Sequence, residues 1–97
     1  NKYCVEVKFY EEDHLTSALL TGKNPQLLQW WQQTIREAGQ VNKKPILIFK
    51  FNRSKMFVAQ EEMPSANYRN IFIDINGYNL YVSLLEDYLI NEEPEFI

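Results

Sequence analysis

Apolar runs rich in β-branched and aromatic residues alternate along this chain with polar, turn-forming segments, and one stretch between them carries helical periodicity. The first run, residues 3–10, reads as a buried strand. Residues 11–23 read as a loop, with a short helical turn around residues 16–20. Asn24 then suits an N-cap and Pro25 the first helical position. Leu27, Leu28, Trp31, Ile35 and Ala38 recur on one helical face, while Gln29, Gln32, Gln33, Arg36 and Gln40 fall on the other side. Gly39 is the expected stop. Residues 46–51 form a second buried strand, Asn52-Arg53-Ser54 a turn, and residues 55–60 a third strand that returns as a hairpin partner. Strand, helix, strand in this order predicts a right-handed crossover between parallel strands.

The remainder continues as strands and turns. A polar loop surrounds Pro64. Residues 71–75 and 78–82 then flank Asn76-Gly77, a strong short hairpin signal. Ser83-Leu84-Leu85-Glu86 has capping-box spacing and predicts a short helix to about Ile90. The acidic tail, residues 91–97, is expected to fray. The fold class is therefore α/β, a mixed sheet flanked by helices. A chain of 97 residues makes one domain at most. Its core is expected over 3–60, with a C-terminal hairpin and short helix over 70–90.

Composition narrows the possibilities. Aromatic residues make up 14% of the chain, enough for a compact core. No apolar stretch approaches the ~20 residues of a membrane span, so no membrane partner is expected. A lone cysteine, Cys4, allows no internal disulfide and fits a reducing, cytoplasmic setting. By strand parity Cys4 shares a face with Glu6, and it reads as a small core residue rather than a reactive thiol. The net charge is −3, which argues against a nonspecific nucleic-acid coat. Its distribution is uneven. Residues 1–60 hold nine Lys/Arg against five Asp/Glu, a balance of +4, and residues 61–97 hold one against eight, a balance of −7. This asymmetry suits a molecule with a positive face and an acidic back.

The candidate chemistry lies in the first strand. Glu6 and Lys8 point the same way, one pleat apart, on an otherwise apolar strand. A carboxylate and an ammonium there are costly without a partner or a purpose. Such a pair suits half of a metal-dependent phosphodiesterase site, the carboxylate holding a divalent cation and the lysine steadying water or phosphate. An ion pair at a sheet edge gives the same pattern. Among the helix glutamines, one or two are expected over the strand bearing Glu6. Lys50, Arg53 and Lys55 gather at the second turn, where they suit phosphate contacts or the protection of a strand edge. His14, beside Glu11, Glu12 and Asp13, reads as a solvated loop histidine.

Val5-Glu6-Val7-Lys8, followed by Trp30-Trp31-Gln32-Gln33, then by Lys44-Pro45-Ile46-Leu47-Ile48-Phe49-Lys50 and Asn52-Arg53, resembles the PD-(D/E)XK nuclease superfamily. Within it the order and spacing resemble small phage proteins described as Holliday-junction-resolvase-like, over roughly residues 3–60. The resemblance implies a restriction-endonuclease-like fold and a metal-dependent DNA endonuclease, its substrate branched DNA such as a Holliday junction, with Mg²⁺ or Mn²⁺ as cofactor. It implies Glu6 and the Val7 carbonyl as metal ligands. Lys8 would position or deprotonate water, with Gln33 first and Gln29 second as the helix residue facing the site. Lys50, Arg53 and Lys55 would bind nucleic acid. The family pattern also has an Asp on a preceding strand. Only Asn1 and Lys2 precede Tyr3 here, so an N-terminal part is expected to be missing, with Asp13 and Asp74 as substitutes out of place. A homodimer acting inside the host cell is the expected assembly. The competing reading is a noncatalytic nucleic-acid-binding or protein-interaction module on the same fold.

Overall fold

The computed structural model describes residues 2–10, 25–52 and 54–94. The elements are β1 (Tyr3–Tyr10), α1 (Pro25–Gln40), β2 (Lys44–Phe51), β3 (Met56–Gln60), β4 (Ile71–Ile75), β5 (Tyr78–Leu84) and α2 (Leu85–Glu92). The strands form one mixed sheet in the order β1-β2-β3-β5-β4. β1 and β2 pair in parallel across α1, as the strand–helix–strand order predicts, and the remaining pairs are antiparallel. The C-terminal hairpin continues the same sheet, because β5 pairs with β3. This is an α/β fold compatible with the restriction-endonuclease-like class.

Two apolar layers hold it together. On one face Leu27, Trp30 and Trp31 of α1 pack with Leu47, Phe49 and Phe51 of β2, Ala59 of β3, and Ile73, Ile75, Leu80 and Val82 of the hairpin. Each such large side chain fully buried contributes roughly 1.5–3 kcal/mol. Phe49 anchors the layer, stacked on Phe57 at 5.6 Å between centroids and tilted against Trp30 at 6.4 Å. On the opposite face Tyr88 of α2 is buried on Ile46 and Val58, with Tyr3, Ile48 and Leu85 at the margin. Burial pushes the Tyr88 hydroxyl up to about 12, so it stays neutral in that layer.

Several local expectations need correction. Helix α1 starts at Pro25 but runs past Gly39 to Gln40. Its stop is Asn42, in the left-handed region at φ 55°. Lys43 N–H donates to the Ala38 carbonyl (2.9 Å) and Asn42 N–H to the Gly39 carbonyl (3.3 Å), which is a Schellman closure with Asn in the place of glycine. Ser83 does not cap α2. It lies inside β5, buried, its hydroxyl without a hydrogen-bond partner among the described residues. Leu84 occupies the N-cap and offers no side-chain bond.

The first residues of the tail are not frayed. Asn91 and Glu92 complete α2, and Glu92 ties down the polar loop. Its carboxylate accepts from Ser65 N–H (2.9 Å), from Tyr68 O–H (2.6 Å) and from the Ser65 hydroxyl. Desolvation pushes this carboxyl up, yet the Ser65 and Tyr68 donors outweigh it and hold it below the usual range. The hairpin is as the sequence indicates. Asn76 and Gly77 both have positive φ, 51° and 87°, and the Asp74 carboxylate accepts from Gly77 N–H at 3.1 Å. Asn24 lies outside the described residues.

Candidate active site

Strand parity sets the site. In β1, Tyr3, Val5, Val7 and Phe9 share a face with Ile46 and Ile48 of β2, whereas Cys4, Glu6 and Lys8 share the α1 face with Leu47 and Phe49. Glu6 stands beside Leu47 and Lys8 beside Phe49, both core residues, so the two polar heads sit at the lip of the larger apolar layer. Cys4 is a free thiol, half-buried on that same face.

Helix α1 supplies the next component. Trp30, Gln33 and Glu37 follow one stripe along it, and packing of the tryptophans on β2 carries that stripe over β1. Thr34, buried beside them, donates its hydroxyl back to the Trp30 carbonyl at 2.7 Å. The Gln33 amide donates to Glu37 Oε1 at 3.1 Å. Glu37 in turn is hydrogen-bonded to Glu6. That bond to Glu37, then desolvation and the Glu37 charge, raises the Glu6 carboxyl above the ordinary carboxylate value, against the pull of Lys8. Glu37 moves the other way, held down by its bonds to Glu6 and Gln33 and by Arg36 and Lys8. Two carboxyl groups in contact repel when both are ionised, which favours the protonated form of Glu6 over that of Glu37.

Lys8 joins none of the close ion pairs among the described residues, which are Lys44–Glu62, Lys55–Glu86 and Arg69–Asp87. Its ammonium acts on both carboxyl groups through space.

The structure thus brings together Glu6, Lys8 and Gln33, the last through Glu37. It leaves Gln29 exposed, one turn away. Glu37 was not among the sequence candidates, although it is the only acid in α1 and lies one turn beyond Gln33 on the same stripe. Asp74 cannot substitute for an upstream acid. It stands on β4, at the opposite edge of the sheet from β1, and is engaged in the hairpin turn. Asp13, His14 and Arg53 lie outside the described residues. Lys50 pairs with Phe9 and so belongs to the face away from Glu6 and Lys8. Lys55 binds Glu86 of α2 at 2.8 Å and holds that carboxyl below its usual range. Among the described residues no group of three or more His, Cys, Asp or Glu side chains gathers as a metal cage. No described helix is long and apolar enough to cross a membrane.

A mixed α/β sheet with a Glu-x-Lys strand, its carboxylate facing a helix that carries Gln and Glu, is compatible with a PD-(D/E)XK nuclease-like assignment. The chain belongs to the family described as "Phage putative PDDEXK endonuclease", whose model matches residues 1–92. The match extends well beyond the 3–60 segment in which the sequence motifs lie. The chain is also similar to Protein D14 of Escherichia phage T5, at 46% identity over 59 residues, which is 61% of this chain and 37% of that protein. It thus spans little more than a third of that relative's length. No solved structure matches it.

Proposed function

We propose that this chain is the metal-dependent endodeoxyribonuclease domain of a phage protein, hydrolysing phosphodiester bonds at the Glu6–Lys8 face of β1. The observation that supports this most is the pairing of Glu6 with Glu37 beside Lys8, in a member of an endonuclease family. Two carboxylates present hard oxygen donors of the kind Mg²⁺ or Mn²⁺ takes, and a site with few protein ligands suits an ion that keeps several waters. Glu6 and Glu37 would hold the ion, with the Val7 carbonyl as a further ligand. The cation would polarise the phosphate and lower the pKa of a bound water. Lys8 would orient that water or offset charge on the pentavalent phosphorus. Gln33 would position Glu37 through its amide, and any proton on Glu6 would have to be released for the pair to hold the cation.

Branched DNA is the proposed substrate. Lys50 and Lys55 stand on the other side of the sheet from Glu6, with Lys55 already paired. Their proposed part is therefore to contact a second arm of the nucleic acid rather than the scissile phosphate. The test is cleavage of labelled four-way-junction and duplex DNA in Mg²⁺ or Mn²⁺ by this chain and by its Glu6→Gln variant. Metal-dependent cleavage lost in the variant is expected, with the junction preferred. Salt-sensitive DNA binding without cleavage, unchanged in Glu6→Gln, would move the protein to a noncatalytic binding module.

A further inference from the structure

The solvent side of a surface helix usually carries charged residues, often in pairs one turn apart. That of α1 carries amides. Its 16 residues include five glutamines but a single cation, Arg36, and a single acid, Glu37. The glutamines are unevenly placed around the axis. Leu27, Thr34 and Ala38, all buried, mark the side that packs on the sheet. Leu28 and Ile35 form one flank, packed against the larger apolar layer. At about 100° per residue, Gln26, Gln29, Gln33, Glu37 and Gln40 fall within an arc of about 80° on the other flank. The bond between Glu37 and Glu6 turns that second flank toward β1. Arg36 stands at the crest, opposite the buried side, and is exposed, as are Gln29 and Gln40. A helix with its side chains is about 10 Å across, so the amide flank rises ~10 Å from the Glu6–Lys8 face to Arg36. Arg36 joins none of the close ion pairs among the described residues.

We propose, on the nuclease reading of the Glu6–Lys8 face, that this flank of α1 holds the sugar–phosphate backbone of the DNA strand to be cut, through Gln29, Gln33 and Gln40, with Arg36 on one phosphate at the crest. The flank is continuous with the site, because Gln33 and Glu37 belong to both. Its chemistry suits a polyanion next to an acid pair. A lysine at Gln33 or Gln40, one turn from Glu37, would tie up that carboxylate as Lys44 does Glu62 and Lys55 does Glu86. An acid there would repel phosphate. An amide donates its N–H groups to phosphate oxygens and leaves the carboxyl pair free for a cation. Arg36, whose guanidinium has the fork geometry that phosphate accepts, supplies the charge at the far side of the flank. From Gln29 to Gln40 the flank runs ~16 Å along the axis, the rise of about five nucleotides of one strand. Contacts of this kind follow the shape of the backbone and not its sequence, which suits a substrate defined by branching.

The test is binding of labelled four-way-junction and duplex DNA over a range of NaCl, without added metal, so that it is read apart from cleavage. The variants are Arg36→Ala, Gln29→Ala combined with Gln40→Ala, and Gln32→Ala, whose side chain lies beyond the crest on the other side. All four side chains are exposed and alanine favours a helix, so circular dichroism should not change. Arg36→Ala should weaken binding and reduce the slope of log affinity against log salt by about one. The paired glutamine variant should weaken binding at least about fivefold, alike for unrelated sequences and at an unchanged slope, because amides displace no counterions. Gln32→Ala should bind as the wild type does. Wild-type affinity and slope in Arg36→Ala overturn the proposal, as does a Gln32→Ala loss equal to that of the paired variant, or a loss confined to particular sequences. Metal-dependent cleavage by a chain whose variants all bind normally would leave the nuclease reading standing without this surface. The expected binding losses in a chain that cuts nothing would leave the surface standing without the catalysis.

Discussion

Glu6 of β1 and Glu37 of α1 act directly on one another, with Glu6 displaced above and Glu37 below the ordinary carboxylate value. Sheet pairing fixes one carboxyl and helix packing the other, so the contact is imposed by the fold rather than by local sequence. An acid pair of this kind, part-exposed and beside a lysine, is the arrangement a hard cation replaces a proton in.

That replacement has a pH signature. Glu6, raised in the fold, contributes stability that is fully present below its unfolded value and lost as pH rises through its folded value. Glu37, lowered, contributes stability present above its unfolded value and lost as pH falls through its folded one. Mn²⁺ or Mg²⁺ affinity should therefore climb as pH rises from about 4.5 past the raised Glu6 value, with release of up to about one proton per ion bound. Titration calorimetry in two buffers of different ionisation enthalpy measures this. Glu37→Gln should weaken binding at least about tenfold and reduce the proton release. Unchanged affinity in that variant would remove Glu37 from the site.

Glu92 fastens the 61–70 loop to α2 through Ser65 and Tyr68. Glu92→Ala should cost about 2 kcal/mol, the scale of charge-assisted hydrogen bonds lost at a half-exposed position. Because this carboxyl lies below its usual range, its contribution is present above the unfolded value and lost as pH falls through the folded one. Urea unfolding at pH 7 and pH 4 should therefore show a smaller difference between variant and wild type at the lower pH.

Ser83 buries a hydroxyl that none of the described residues satisfies. Such a group costs about 1–3 kcal/mol of desolvation. Ser83→Ala should be neutral or stabilising by up to ~1 kcal/mol in thermal unfolding. A clear loss of stability would mean that the hydroxyl has a partner.

Asn42 closes α1 from the left-handed region. Asn42→Gly should be tolerated, and Asn42→Ala should cost ~1 kcal/mol because a Cβ disfavours that conformation. Equal stability of the two variants in urea would argue against the closure described here.

The sequence was most legible where periodicity and turn chemistry agree. Residues 3–10 form the expected strand, but none of its described side chains is buried as expected, because on the face away from α1 Val5, Val7 and Phe9 are left exposed; the stripe from Leu27 to Ala38 and Asn76-Gly77 lie where helical spacing and turn preference put them. It was least legible where tertiary packing chose between local options. Ser83 followed by Glu86 satisfies a capping box on paper, but pairing of Ser83 with Val58 draws the serine into β5. Gly39 gave way to Asn42 because Asn42 takes the left-handed position and its N–H and that of Lys43 close on the Gly39 and Ala38 carbonyls. Glu6 and Lys8 were readable as candidates from strand parity, and Gln33 was singled out by the family resemblance. Glu37 was not, since its role depends on where α1 lies over β1, and a lone acid one turn past Gln33 was the only trace of it. The opposite-face placement of Lys50 required the register of β1 on β2.

The most direct test of the proposed site is Lys8→Ala. Lys8 is part-exposed and in no close ion pair among the described residues, so its loss should leave the fold and DNA binding intact. With Mg²⁺ or Mn²⁺ present, cleavage of labelled junction DNA by the wild-type chain and its absence in Lys8→Ala, at unchanged circular dichroism and DNA affinity, is the predicted result. Cleavage by Lys8→Ala at the wild-type rate would contradict the assignment of this face of β1 as the catalytic centre.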